Sequence, residues 1–174
     1  MDAILIGLSC EALQAYMNVY GLLGRKLAIY LAAILVTYLL ATVTASLHVA
    51  SRLAAMGVTL DPAARLAMIG HDLVGMAGMF LPLIAFALLV AFLVTALVHY
   101  GLRRARVLLY VLAGAVAMLA LHLGLHAAFG LTPVAIARSA GGLALQTLAG
   151  AAGGWVYIGL NRRYGERVID PIDA

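Results

Sequence analysis

An all-α, polytopic membrane protein is the fold class this sequence predicts: a four-helix transmembrane bundle preceded by an N-terminal helix in the membrane interface. Three observations predict it. Leu27–Leu47, Leu73–Val98, Val107–Phe129 and Val134–Leu160 are apolar runs, each of the ~20 residues that cross a bilayer core at ~1.5 Å rise per residue. Hydrophobic residues make up 66% of the chain and charged residues 10%, more apolar surface than a water-soluble fold can hide. Ten of the eleven Arg and Lys residues lie outside these runs, mostly beside their ends, the pattern of loops at span boundaries.

The elements follow in order. Residues 3–23 are apolar except for Glu11, Gln14 and Asn18, which share one helical face at i, i+3, i+7. A helix with one polar stripe lies in the interface plane; the alternative is a fifth span with the stripe turned inward. Gly21 and Gly24 are expected to break the chain before Arg25. The first span, 27–56, outlasts the membrane and stops at Gly57, a natural left-handed terminus. The second helix, 62–98, starts with Asp61 as N-cap and Pro62 at the first helical position. Together they form a hairpin projecting beyond the outer surface, with a kink expected at Pro82. The third span covers 107–129. The fourth covers 133–160, with Thr132 as N-cap and Pro133 at its start. Residues 161–174 form a polar tail. The chain reads as a single transmembrane domain.

Charge fixes the expected orientation. Arg25, Lys26, Arg103, Arg104, Arg106, Arg162, Arg163 and Arg167 fall on one side of the membrane; Arg52, Arg65 and Arg138 fall on the other. The positive-inside rule places the richer side in the cytoplasm, so both termini are expected there, in a bacterial inner membrane. The net charge of +4 reflects this placement and lipid contact, and no nucleic-acid partner is expected. Met1-Asp2-Ala3 carries no positive charge ahead of an apolar stretch, so no cleaved leader is expected. Cys10 is the single cysteine, which excludes an intramolecular disulfide and a cysteine metal cage.

Helix faces locate the candidate chemistry. In the third span Ala113, Ala117, Ala120 and Gly124 form a small-residue stripe, the usual surface for close helix packing in membranes. His122 and His126, at i and i+4, share the opposite face. The fourth span repeats small and polar residues at Ala135, Ser139, Gly142, Gln146, Ala149 and Gly153, a heptad seam. In the first span Tyr30, Thr37, Thr44, His48 and Ser51 form a polar stripe. Ionisable residues within spans are expensive and point to function, so the outer-side group His48, His71, Asp72, His122, His126 and Arg138 is the candidate site.

Three readings of that group follow. An anion, quinone or lipid head-group site would use Arg138 as its charge, with His126, His122, Gln146 and Thr44 as hydrogen-bonding neighbours. A divalent-metal site would draw its ligands from His48, His71, Asp72, His122 and His126. A haem would take axial histidines from facing helices. His48 and His71 in water, and Arg138 among head groups, would need none of these. His99, Tyr100, Trp155, Tyr157 and Tyr164 read as interfacial anchors. No Ser-centred or paired-carboxylate catalytic spacing stands out. The function expected is therefore a non-enzymatic, oligomeric inner-membrane protein that binds or conducts a small ligand, ion or lipid near the outer leaflet. A haem or metal redox protein and an accessory subunit of a larger membrane complex are the alternatives.

Overall fold

The computed structural model describes residues 2–98, 105–129 and 139–165, with side chains from residue 19 to 164. Within these, five α-helices follow one another: α1 Asp2–Ala55, α2 Pro62–Gly75, α3 Ala77–Val98, α4 Arg106–Phe129 and α5 Ala140–Leu160. A π-helical turn, Asn161–Gly165, closes the described chain. Four segments are long and apolar enough to cross a bilayer: Val19–Ala55, Ala77–Val98, Arg106–Ala128 and Ala140–Tyr164. The protein is an all-α, multi-pass membrane bundle, as its sequence predicts.

The α1–α2 hairpin forms by the expected chemistry. The amides of Gly57 and Val58 donate to the carbonyls of Ala54 and Leu53, each at 3.0 Å. This is the Schellman pattern, and Gly57 takes the positive φ of 84° that it requires. Asp61 then caps α2, its Oδ1 accepting from the Ala64 amide at 2.7 Å, with Pro62 at the first helical position.

Three expectations about helix boundaries are corrected. Helix α1 runs unbroken through Gly21 and Gly24. A glycine costs a helix interior only about 1 kcal/mol, whereas an interruption in apolar surroundings strands several backbone groups without water. The long 62–98 helix is split at Met76, which lies between α2 and α3, while Pro82 sits inside α3. Proline leaves the carbonyl four residues back, that of Gly78, without its usual donor. Gly75 and Gly78 weaken the same turn, so the interruption falls ahead of the proline. One freed carbonyl at the end of α2, that of Leu73, accepts from the Tyr38 hydroxyl at 2.5 Å, a cap supplied by α1. Finally, α5 begins at Ala140. Ser139 is extended, and its Oγ accepts from the Gly142 amide at 3.1 Å. A single helix across 133–160 is thus excluded, and Thr132 and Pro133 lie outside the described residues.

Around the bundle, α5 packs between α1 and α4, while α3 packs against α4 and α1; α2 leans on α1. Glycines set the closest approaches. A Cβ added to Gly114 would lie 2.1 Å from the carbonyl oxygen of Gly150, and one added to Gly154 would lie 2.1 Å from that of Tyr110. The α4–α5 seam is therefore backbone against backbone, which small residues permit in membranes. Gly153 meets Thr37 and Ala33 of α1 in the same way. The stripe Ala113, Ala117, Ala120 and Gly124 does not make this seam. It lines an open apolar groove of about 660 Å³ between α3 and α4.

The two ends of the bundle differ. At one end, called the basic end, Arg25 donates to the carbonyl of Tyr164 at 3.2 Å, joining the start of the first span to the end of the last. Above it Phe92, Tyr110 and Tyr157 cluster, with ring centroids 4.4 to 5.7 Å apart. Tyr157 thus points into the bundle instead of anchoring at its rim, because Phe92 stacks on it; Trp155 and Tyr164 are exposed. The other end carries the α1–α2 hairpin. His99 and Tyr100 lie outside the described residues.

Candidate functional site

A buried polar layer occupies the hairpin half of the bundle. Thr42 on α1 and Gln146 on α5 are 0% exposed, and His122 on α4 is 3% exposed. Each has one side-chain atom without a hydrogen-bond partner in the protein: Thr42 Oγ1, Gln146 Oε1 and His122 Nε2. The contrast with nearby hydroxyls is direct. Thr37, Thr95 and Thr147 donate to the carbonyl four residues back at 2.9, 2.7 and 2.8 Å, the ordinary resting place of a hydroxyl in an apolar helix.

Helix register places the three residues in the same stretch of the bundle. Gln146 Nε2 donates to the carbonyl of Ala41 at 2.9 Å, so Gln146 is level with the residue before Thr42. Gly150, one turn away on α5, faces Gly114 and Met118 of α4. Gln146 is therefore beside the Met118–His122 turn, and the three atoms fall within roughly two turns, ~10 Å, of one another along the bundle. Phe80 of α3 meets the His122 ring edge-on, with centroids 6.0 Å apart and an interplanar angle of 77°. All four spanning helices thus contribute a side chain to this level.

The proton positions follow from partner chemistry. His122 Nδ1 lies 2.8 Å from the Met118 carbonyl. A carbonyl only accepts, so Nδ1 carries the hydrogen, and in the neutral ring Nε2 presents a bare lone pair. The same reasoning orients Gln146: its amide nitrogen faces Ala41, leaving the amide oxygen bare. The layer therefore offers two acceptors and one hydroxyl that can accept or donate. Burying such groups unpaired costs about 1–3 kcal/mol each.

A polar row leads from this layer toward the hairpin end. Ser46, one turn from Thr42, is buried, and its Oγ lies 3.1 Å from the Thr42 carbonyl and 2.6 Å from Asp72 Oδ2. Asp72 is half-buried. Toward the basic end α5 closely approaches α4 at Gly150 and Gly114, and α1 at Gly153 and Thr37.

The sequence-derived candidates divide as follows. His122 and Gln146 are in the layer. His126 shares the expected side of α4 but is exposed, because it stands in the last turn of the helix, past the level its neighbours cover. Thr44 is half-buried and satisfied by its own helix, donating toward the carbonyls of Leu40 and Ala41 at 2.7 and 3.0 Å. The expected stripe of α1 does not form one lining: Thr37 faces α5, and Ser51 is exposed and bonds the His48 carbonyl at 2.7 Å. Arg138 lies outside the described residues. His71 is exposed and His48 half-buried. Among the described residues no three of His, Cys, Asp and Glu approach closely enough to hold a metal ion, so the set His48, His71, Asp72, His122 and His126 is not assembled. For haem, His122 is the buried histidine among the described residues, and Phe80 meets its ring edge-on.

Thr42 and Ser46 escaped the sequence reading. The signal is the row Tyr38, Thr42, Ser46 at i, i+4, i+8, whose Tyr38 and Ser46 meet α2; the neighbouring row stands out more by residue type because it carries His48. No family model, curated protein or solved structure matches the chain.

Proposed function

We propose that this protein binds a small hydrogen-bonding solute inside its transmembrane bundle, at the layer formed by Thr42, His122 and Gln146. The observation that supports it is the trio of unpartnered, buried polar atoms in the hairpin half of the bundle. In a bilayer no water is at hand to pair them, and together they cost several kcal/mol against a net folding stability of roughly 5–15 kcal/mol. A solute that pairs these atoms recovers that cost, and its binding energy then appears as added stability. The row Ser46–Asp72 is its route from the hairpin end. In this reading the hairpin faces the outside of a bacterial inner membrane. Arg25, Lys26, Arg106, Arg162 and Arg163 then face the cytoplasm, with both termini, as the positive-inside rule requires.

The test is thermal unfolding of the protein in lipid nanodiscs with ammonium, methylammonium, sodium, potassium, urea or formamide. The comparison is the variant Thr42→Val/His122→Phe/Gln146→Leu. At least one solute is expected to raise the midpoint of the natural protein saturably and leave the variant unmoved. If none of the six does so, the binding reading is lost.

A further inference from the structure

We infer that the groove between α3 and α4 holds an acyl chain of an anionic phospholipid, whose phosphate lies beside Arg106 at the basic end. The site is separate from the polar layer, and neither depends on the other.

The walls say what kind of occupant fits. The groove follows α3 from Leu83 to Val98 and α4 from Leu109 to Leu125, a length of ~22–24 Å at ~1.5 Å rise per residue. Thr95 is the one polar side chain among its lining residues, and its hydroxyl donates to the Ala91 carbonyl at 2.7 Å. The part of the occupant between these walls is therefore hydrocarbon, since a polar group there would go unpaired. Ala117 and Thr95 are buried at the floor, whereas Phe86 and Val116 are exposed along the edges. Spread over its length, the volume of about 660 Å³ gives a cross-section of roughly 30 Å², against roughly 80–110 Å² for a helix 10–12 Å across. A second transmembrane helix would rest on the edges and leave the floor without contacts. A single acyl chain is thin enough to reach the floor. One leaflet of the bilayer core is ~15 Å deep, half of ~30 Å, so a chain entering at the basic end lies in the groove along its length.

Charge selects the head group. Arg106 opens α4 on the row that continues through Leu109, Ala113, Ala117, Ala120 and Gly124, each three or four residues from the last, so it stands at the basic end of the groove. Arg25, Lys26, Arg162 and Arg163 share that end, while Asp61 and Asp72, the acids with described side chains, belong to the hairpin. Outside the described side chains, the sequence adds Arg103, Arg104 and Arg167 to the basic side and Asp2, Glu11, Glu166, Asp170 and Asp173 against them, so basic groups still outnumber acidic ones. A guanidinium bonds phosphate oxygens through paired N–H groups, and a surplus of Arg and Lys at a span end draws anionic lipids. A zwitterionic head group carries its own cation, which offsets that attraction.

The experiment is native mass spectrometry of the protein released from nanodiscs of equal parts phosphatidylglycerol and phosphatidylcholine, with thermal unfolding in nanodiscs of each lipid as a second readout. Retention of phosphatidylglycerol is expected, together with a higher unfolding midpoint in that lipid. Arg106→Gln is expected to lower the preference for phosphatidylglycerol about fivefold, the scale of one arginine at a membrane surface, and Arg106→Lys to keep most of it. Ala120→Phe fills the groove from an exposed position and is expected to abolish retention of either lipid while the variant stays folded in phosphatidylcholine. If Ala120→Phe does not fold, the two Arg106 variants decide by themselves. Equal retention of both lipids would overturn the inference. So would protection by soluble glycerol phosphate that matches the intact lipid, because the chain would then contribute nothing. A lipid-free dimer broken by Ala120→Phe would assign the groove to a second copy instead. None of these outcomes bears on Thr42, His122 or Gln146.

Discussion

Thr42 shows how one side chain distinguishes a binding layer from ordinary core. Its hydroxyl has no partner, whereas Thr95 donates to the Ala91 carbonyl at 2.7 Å. Replacing an unpaired buried hydroxyl by a methyl of the same shape removes a desolvation cost. Thr42→Val is therefore expected to stabilise the solute-free protein by about 1 kcal/mol, and Thr95→Val to leave it nearly unchanged; thermal unfolding of both variants in solute-free nanodiscs checks the pair. His122 and Gln146 were legible in the sequence because an ionisable or amide side chain within a span stands out by type. Thr42 and Ser46 were not, because threonine and serine are common in spans and usually satisfied by their own helix. Only the packing partner of each α1 face tells an orphaned hydroxyl from a satisfied one.

At the scale of elements, termini and crossings decide the architecture. Gly57 supplies a left-handed residue at φ 84°, which an L side chain adopts at a cost of about 1–2 kcal/mol. Gly57→Ala is expected to lower stability by that amount, read by chemical or thermal unfolding. Gly150 poses a different constraint, since a Cβ there would sit 2.1 Å from the Gly114 carbonyl oxygen and 2.5 Å from Met118 Cγ. Gly150→Ala must push α4 from α5 and is expected to cost about 1–3 kcal/mol. Gly24→Ala meets nothing within 4 Å and is expected to gain about 0.5–1 kcal/mol through helix propensity alone. Opposite shifts of the two midpoints are the check. The caps at Gly57 and Asp61 were readable because turn chemistry is local. The interruption at Met76 was not, because a proline acts on the turn before it and the rescue of the Leu73 carbonyl comes from Tyr38, 35 residues away in sequence.

For the whole molecule, four apolar segments and the asymmetry of Arg and Lys predict one topology. In a Cys10→Ser background, Val58→Cys in the hairpin is expected to react with a membrane-impermeant maleimide on intact cells. Arg163→Cys, at the basic end, is expected to react only after the membrane is opened. The reverse pattern would invert the proposed orientation. The spans were legible because bilayer thickness imposes a length on each. Which faces meet was not, because in lipid every face of such a helix is apolar and only shape selects a neighbour: the stripe Ala113, Ala117, Ala120 and Gly124 was a plausible seam, yet Gly114 makes it.

The glycine seam also bears on how this chain is free to diverge. Gly114, Gly150, Gly153 and Gly154 each leave no room for a single added carbon, while Gly21, Gly24, Gly70, Gly141 and Gly159 have open space where that carbon would go. Selection for folding therefore acts on the first group and is nearly blind to the second. In a distant homologue the lipid-facing leucines and alanines would drift among themselves until overall identity carried no signal. The four seam glycines, held at fixed distances from His122 and Gln146, would persist. That spacing is the sparse signature by which a remote relative of this protein would be recognised.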